Sequence, residues 1–310
     1  MKPLSIKSYA KINLTLEITG VEEGYHQLDS LVASVNLYDH IHLKKRKDRL
    51  SSVTMKGMGS EDIPLEENVA LRAAEAFSER FQTTGVDVTI FKNIPMGAGL
   101  GGSSVDVAGV LNGMATMYEV NDEKALKELA DSLGSDTGYM LKGGFARLRG
   151  RGTEIEWLEP FPPLHFLLLC PKEGVSSKEC YKTYDLLPQT LQWKENSADA
   201  CLRALRNGDV NEVGRYLMND LYVPAVHLLP ALEEVKKEAL SFAPLGVTMT
   251  GSGSGILALF ETKELCEWAK SRYKGDCEAY VLSTCVPQSK DKKNKPFFRN
   301  PFALEDWEKW

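Results

Sequence analysis

The stretch Ile94-Pro95-Met96-Gly97-Ala98-Gly99-Leu100-Gly101-Gly102-Ser103-Ser104-Val105-Asp106-Val107 constrains this chain more than any other. It follows an alternating apolar run (Val86, Val88, Ile90) and precedes a helical pattern. Glycine lacks a Cβ, so its backbone can come close to a ligand, and the N–H groups at a helix N-terminus attract anions. The combination reads as a phosphate cradle. A loop of small residues closing an ordinary turn is the plainer alternative, and short motifs do produce false matches.

Two familiar nucleotide motifs can be tested on the same residues. A Walker loop ends Gly-Lys-Ser/Thr so that a lysine reaches the terminal phosphates. Gly101-Gly102-Ser103-Ser104 has no lysine there, so that reading fails. Gly97-x-Gly99-x-x-Gly102 does spell the dinucleotide fingerprint, which requires a strand, a helix and then a parallel strand with an acidic residue. Here helix follows helix and Pro95 closes the preceding strand, which weighs against a dinucleotide-dependent oxidoreductase.

A chain of 310 residues can bury a large core and suggests two domains or lobes. Its net charge of −6 gives no reason to expect nucleic acid or an anionic membrane as partner. The cysteines at 170, 180, 201, 266, 277 and 285 show neither a C-x-x-C pair nor zinc spacing, and read as reduced thiols of a cytoplasmic protein. Lys2, Lys7 and Lys11 interrupt any signal-peptide apolar run, and no segment has the ~18 apolar residues of a membrane span.

From Ile6 to Thr19 apolar and polar residues alternate, which predicts one long strand carrying Lys11 and Asn13 together on its polar face. A solvated lysine is the plainer reading of Lys11. Gly24-Tyr25-His26 predicts a turn, residues 31–45 a second strand region and Lys44–Arg49 a solvated tip. Asn68 stands where an N-cap would, ahead of Ala70, Ala73, Ala74, Phe77 and Phe81. Helices are predicted from Ser104 to Tyr118 and over Asp122–Leu133, the latter leading into Gly134-Ser135-Asp136-Thr137-Gly138. Gly143–Gly152 reads as a hairpin and His165–Cys170 as a strand. Ser176–Glu179 opens a helix bearing Tyr181 and Tyr184, and residues 197–243 are mostly helical. Val247–Phe260 reads as strand, Gly-Ser-Gly-Ser-Gly loop, strand; a helix around Trp268 and a strand Glu278–Thr284 follow. A break near Glu159–Pro163 divides residues 1–160 from 161–286, leaving 287–310 as a basic, then aromatic tail without a functional reading.

Pro95-x-x-x-Gly99-Leu100-Gly101 followed by serines and a helix resembles the signature of the galactokinase, homoserine kinase, mevalonate kinase and phosphomevalonate kinase superfamily. Tyr9–Leu14, Gly24–His26, Glu67–Val69, Ile94–Met96, Gly134–Asp136, Ser177–Tyr181 and Thr250–Gly255, in that order, narrow the resemblance to its diphosphocytidyl-methylerythritol kinases. It spans roughly Ser5 to Thr284. The resemblance implies an α+β fold of two lobes, the N-terminal one ribosomal-protein S5-like and binding ATP, the C-terminal one ferredoxin-like. It implies γ-phosphoryl transfer from ATP, with Mg²⁺, to the 2-hydroxyl of the diphosphocytidyl-methylerythritol in non-mevalonate isoprenoid synthesis.

Carried over by motif position, Asp136 is the catalytic base and Lys11 its neighbour, since an ammonium favours a charged carboxylate and a developing alkoxide. Asn68, Pro95, Gly97, Ala98, Gly99, Leu100, Gly101, Gly102, Ser103 and Ser104 match ATP-binding positions. Ser103 or Ser104 would help hold the metal, a hard cation that prefers oxygen ligands. Tyr25 and Tyr181 match aromatics that sandwich cytosine, and His26 a reader of its edge. Asn13 matches a contact to the methylerythritol end, and Gly251, Ser252 and Gly253 a loop closing over the transferred phosphate.

Two departures from the family pattern stand out. Thr137-Gly138 follows Asp136 where the family has Val-Pro, and a rigid proline is thereby lost. Val105 occupies a family serine position, because both serines come one residue early. Another small-alcohol kinase of the superfamily, or a non-catalytic nucleotide-binding paralogue, are the competing readings; a pure binder would need neither Lys11 nor Asp136. A small-molecule substrate, no nucleic acid or membrane partner, and a monomer or homodimer complete the expectation.

Overall fold

The structure, a computed structural model, describes residues 3–58, 68–187 and 197–287. Glu67 and all of the tail beyond Pro287 lie outside the described residues. The larger sheet is built around β3 (Tyr25–Lys45), which pairs antiparallel with β1 (Leu4–Asn13), β2 (Thr15–Glu22), β5 (Val86–Lys92) and β6 (Phe145–Gly150). β4 (Ser52–Gly57) adds parallel to β5, and β7 (Glu154–Trp157) closes a hairpin with β6.

The single strand expected over residues 6–19 is two strands broken at Leu14. Two local features account for this. The β1 register shifts between Tyr9 and Lys11, and the Asn13 N–H leaves the ladder to donate to Thr250 Oγ1 at 3.1 Å. The polar face of β1 is not solvated either: Lys11 and Asn13 are 5% and 4% exposed. β3 starts at Tyr25, well ahead of the expected second strand, because the Glu23-Gly24 turn folds it directly back on β2.

Helices α1 (Val69–Arg80), α2 (Gly102–Tyr118) and α3 (Glu123–Leu133) form one layer with this sheet. α1 begins where its sequence predicts, the Asn68 side chain accepting from the N–H groups of Ala70 and Leu71. Gly109 and Gly113 let α2 lie close on the sheet, since a Cβ there would stand 2.1 Å from Ile41 Cδ1 and 2.4 Å from Leu43 Cδ1. A short helix, α4 (Thr137–Met140), follows α3.

The smaller sheet has the order β10-β11-β8-β12, all antiparallel, from β8 (His165–Cys170), β10 (Gly246–Met249), β11 (Ile256–Phe260) and β12 (Glu278–Ser283). Helices α5 (Ser177–Leu186), α6 (Ser197–Asn207), α7 (Val210–Tyr216), α8 (Tyr222–Leu228) and α9 (Ala231–Leu240) lie between β8 and β10, and α10 (Lys263–Arg272) between β11 and β12. Helical excursions on either side of a central hairpin, with that strand order, make the ferredoxin-like arrangement. The fold is thus a two-lobed α+β one.

The lobes are not separate bodies joined by a linker. One apolar cluster runs from Ile12, Leu14 and Leu31 to Phe166, Leu168 and Leu257. The short strand β9 (Met218–Asn219) pairs parallel with β2, so residues beyond the 160/161 break join the larger sheet. Arg147 on β6 donates to both carboxylate oxygens of buried Asp29 (2.7 and 2.6 Å) and to Asp199 on α6 (2.6 Å).

Candidate active site

A cleft of about 920 Å³ opens where the two sheets meet. The glycine stretch forms its floor. Gly101, at φ +74°, caps α2 with no side-chain acceptor, so the first N–H groups of that helix remain for a ligand. Gly99 and Gly97 bring this loop against the second glycine loop. A Cβ on Gly99 would lie 1.9 Å from the Thr250 carbonyl oxygen, and the Ser254 N–H donates to the Gly97 carbonyl at 2.9 Å. The two loops therefore meet backbone to backbone.

Lys11 projects into this cleft from the buried end of β1. Its Nζ donates to Asn13 Oδ1 (2.7 Å) and stands 3.4 Å from Asp136 Oδ2. Asn13 Oδ1 also accepts from the Gly251 N–H at 3.0 Å, and Asn13 Nδ2 donates to Ser30 Oγ at 2.9 Å. One amide thus ties the lysine to the second glycine loop. Asp136 precedes α4, and its carboxylate caps nothing. The Thr137-Gly138 departure does not withdraw it from Lys11. Gly138 packs where a Cβ would stand 2.1 Å from Asp131 Oδ1, so a residue without a side chain suits this turn.

Every residue carried over as a site residue lines the cleft: Lys11, Asn13, Tyr25, His26, Asn68, Pro95, Gly97 to Ser104, Asp136, Tyr181 and Gly251 to Gly253. Val105 is fully buried in the core, so the shifted pattern leaves Ser103 and Ser104, not residue 105, facing the cleft. Ser252 is pinned by a 2.6 Å hydrogen bond between its hydroxyl and that of Ser177. At the far end Tyr25 is 51% exposed with the Arg151 guanidinium 3.6 Å over its ring, and His26 stacks on Tyr181 at 4.9 Å. Burial pushes the Tyr181 phenol up, so it stays neutral.

Two charged residues, Lys92 and Asp39, escaped the sequence reading, and their partner Asp106 was legible there only as keeping the register of a family acidic or amide residue. Lys92 lines the cleft, donating to Asp39 and, at 2.7 Å, to Asp106 on α2. Asp39 Oδ1 accepts from the N–H groups of Asn93 (2.6 Å) and Ile94 (3.0 Å), which fixes the start of the glycine loop. Burial opposes the charge on Lys92, but Asp106 and Asp39 outweigh it and raise the amine above its ordinary range. Burial pushes the Asp106 carboxyl up. A signal was present: Lys92 continues the face of Val86, Val88 and Ile90, and Asp39 interrupts that of Leu37, Ile41 and Leu43. A charge at core phase on a strand calls for a buried partner.

Residues 68–146 match the family model described as GHMP kinases N terminal domain, and residues 201–272 the one described as GHMP kinases C terminal. The 4-diphosphocytidyl-2-C-methyl-D-erythritol kinase of Clostridium beijerinckii is 36% identical over 278 residues, 87% of this chain and 97% of that one. That of Caldicellulosiruptor bescii is 34% identical over 285 residues, 91% of this chain and 98% of its own. A solved structure of 4-(cytidine 5'-diphospho)-2C-methyl-D-erythritol kinase superposes with a TM-score of 0.74 at 29% identity, covering 90% of this chain and 98% of that one. Homoserine kinase from Cytophaga hutchinsonii, at 19% identity and a TM-score of 0.71 over 93% of this chain and 96% of its own, shares the fold.

Proposed function

This chain belongs to the 4-diphosphocytidyl-2-C-methyl-D-erythritol kinase family, and from that premise we propose how its cleft carries out the transfer. The activity is ATP-dependent phosphorylation of 4-diphosphocytidyl-2-C-methyl-D-erythritol in the non-mevalonate route. Phosphoryl transfer asks a protein mainly for positioning and for charge where charge develops. Residues 1–160 supply most of that machinery, and residues 161–286 supply Tyr181 and the closing loop.

The triphosphate lies along Gly97–Ser104, held by backbone N–H groups and the positive end of α2. Asn68 at the head of α1 lies beside the adenine. Tyr25 and Tyr181 take the cytosine between their rings, and His26 reads its edge. The 2-hydroxyl of the acceptor meets Asp136, which takes its proton as the oxygen attacks the γ-phosphorus. Lys11 stabilises the oxygen as it becomes negative. Asn13, whose oxygen already receives Lys11 and Gly251, holds the ammonium in place and links it to the loop over the transferred phosphate.

The wall beside α2 fits Mg²⁺. Ser103 or Ser104 offers a hydroxyl on the first turn, and Asp106 Oδ1, buried in the same wall, has no hydrogen-bond partner among the described residues. Such oxygens suit a hard cation that takes its other ligands from phosphates and water. When bound, the ion would neutralise phosphate charge.

The observation that carries this reading is the 3.4 Å approach of Lys11 to Asp136 at the mouth of the cradle. ADP release with ATP, Mg²⁺ and the cytidyl substrate tests it, homoserine and mevalonate serving as control alcohols. Asp136→Asn and Lys11→Ala lower kcat by about 10²–10⁴ while leaving the thermal melt intact. Near-normal turnover in either folded variant overturns the assignment. ADP from a control alcohol alone overturns the acceptor.

A further inference from the structure

Three side chains of α5 close around one imidazole. Tyr181, Tyr184 and Asp185 share a face of that helix at spacings of three and four. The His26 ring stacks on Tyr181 (4.9 Å, 30°) and meets Tyr184 edge-on (5.8 Å, 85°), which leaves its side chain only 15% exposed. Its Nε2 lies 2.7 Å from Asp185 Oδ1. Asp185 is half exposed, and an ion pair in that setting adds little to stability. Its consequence is chemical.

A carboxylate can only accept, so Nε2 carries the proton of this hydrogen bond. In the neutral ring Nδ1 is then a lone-pair acceptor. We propose that Asp185 is a positioning residue for base selection: by holding the proton on Nε2 of His26, it presents the cleft with an acceptor that suits a base bearing an exocyclic amine and opposes one bearing a carbonyl there. Cytosine has the amine; uracil has the oxygen. The two tyrosines fix the plane of the ring, and the hydrogen bond to Asp185 sets which nitrogen is turned away from it. This inference rests on the reading of Tyr25, His26 and Tyr181 as the pyrimidine end of the cleft.

The test uses the full chain, with ATP saturating, and compares the cytidyl substrate with its uridine counterpart. Asp185→Asn keeps the shape but offers either an oxygen or an NH₂ to the imidazole, so the ring is no longer held to one tautomer. The variant raises KM for the cytidyl substrate about tenfold and lowers the cytidine-over-uridine ratio of kcat/KM by a similar factor. Its kcat and its KM for ATP stay within about twofold of wild type, and Asp185→Glu restores most of the ratio. Nitrogen-15 spectra of the His26 ring show Nε2 protonated and Nδ1 bare in the wild type, and a mixture in Asp185→Asn.

An unchanged ratio in Asp185→Asn overturns the proposal, as does a wild-type ring protonated on Nδ1 in neutral buffer. A parallel fall of kcat and of ATP affinity marks a structural role and also overturns it. A wild type that phosphorylates neither nucleotide but does phosphorylate another alcohol overturns the reading of the cleft, a result distinguishable from the other three.

Discussion

At Gly99 the backbone turns at φ +72° and passes so close to Thr250 that no other residue fits. Strain in the left-handed region and collision with a fixed carbonyl act together at this one position. Gly99→Ala costs about 1–3 kcal/mol of stability and, more tellingly, separates the two glycine loops. Nucleotide affinity by calorimetry falls with it, whereas Gly144→Ala, with a positive φ but open space around its Cβ position, weakens folding alone. Unaltered ATP binding in Gly99→Ala would contradict the loop contact as part of the cradle. The glycine pattern was readable in the sequence because a cradle needs absent side chains. What the missing side chains made room for, a second loop some 150 residues on, was not.

Among the elements, α2 matters most, since its N-terminus must reach the phosphates at a fixed height above the sheet. Gly109 and Gly113 set that height, although glycine inside a helix costs roughly 0.5–1 kcal/mol relative to alanine. Gly113→Ala gains propensity yet drives a methyl into Leu43, and overpacking of that kind costs about 1–3 kcal/mol. Urea unfolding therefore shows a net loss; a gain would mean that the sheet yields and that the spacing is not held by contact. Helical periodicity placed α1, α3 and α5 correctly because each carries its own capping side chain, Asn68, Asp122 and Ser176; α2, which has no such cap, starts two residues ahead of the expected Ser104. It could not place the break at Leu14 or the bridge made by β9. Both depend on partners in distant sequence: the Asn13 N–H goes to Thr250, and the N–H groups of Met218 and Asp220 donate to the carbonyls of Leu14 and Leu16.

For the whole molecule, charge buried at core positions sets how stability responds to pH. His42, half-buried on β3 beside Phe91, has a buried Nε2 with no hydrogen-bond partner among the described residues, and burial pushes its imidazole below the ordinary value of 6.5. The unfolded chain takes up a proton there near pH 6.5 while the folded chain does not, so folding weakens as pH falls below that point. His42→Phe removes this contribution: its melting temperature changes less than that of wild type between pH 7.5 and pH 5. Parallel acid limbs in the two proteins would show that His42 carries its proton in the fold. Composition gave no hint of this. A histidine at strand phase becomes informative only once its neighbours are known.

The hydrogen bonds that assemble the cleft join Asn13 to Gly251 and Gly97 to Ser254. A ribosome delivers the first partner of each pair long before the second. The nascent chain therefore holds Lys11 and the phosphate loop without the contacts that fix them. The catalytic arrangement is completed only when the hairpin of β10 and β11 has emerged, so a cell does not acquire the assembled activity before most of the polypeptide has been made.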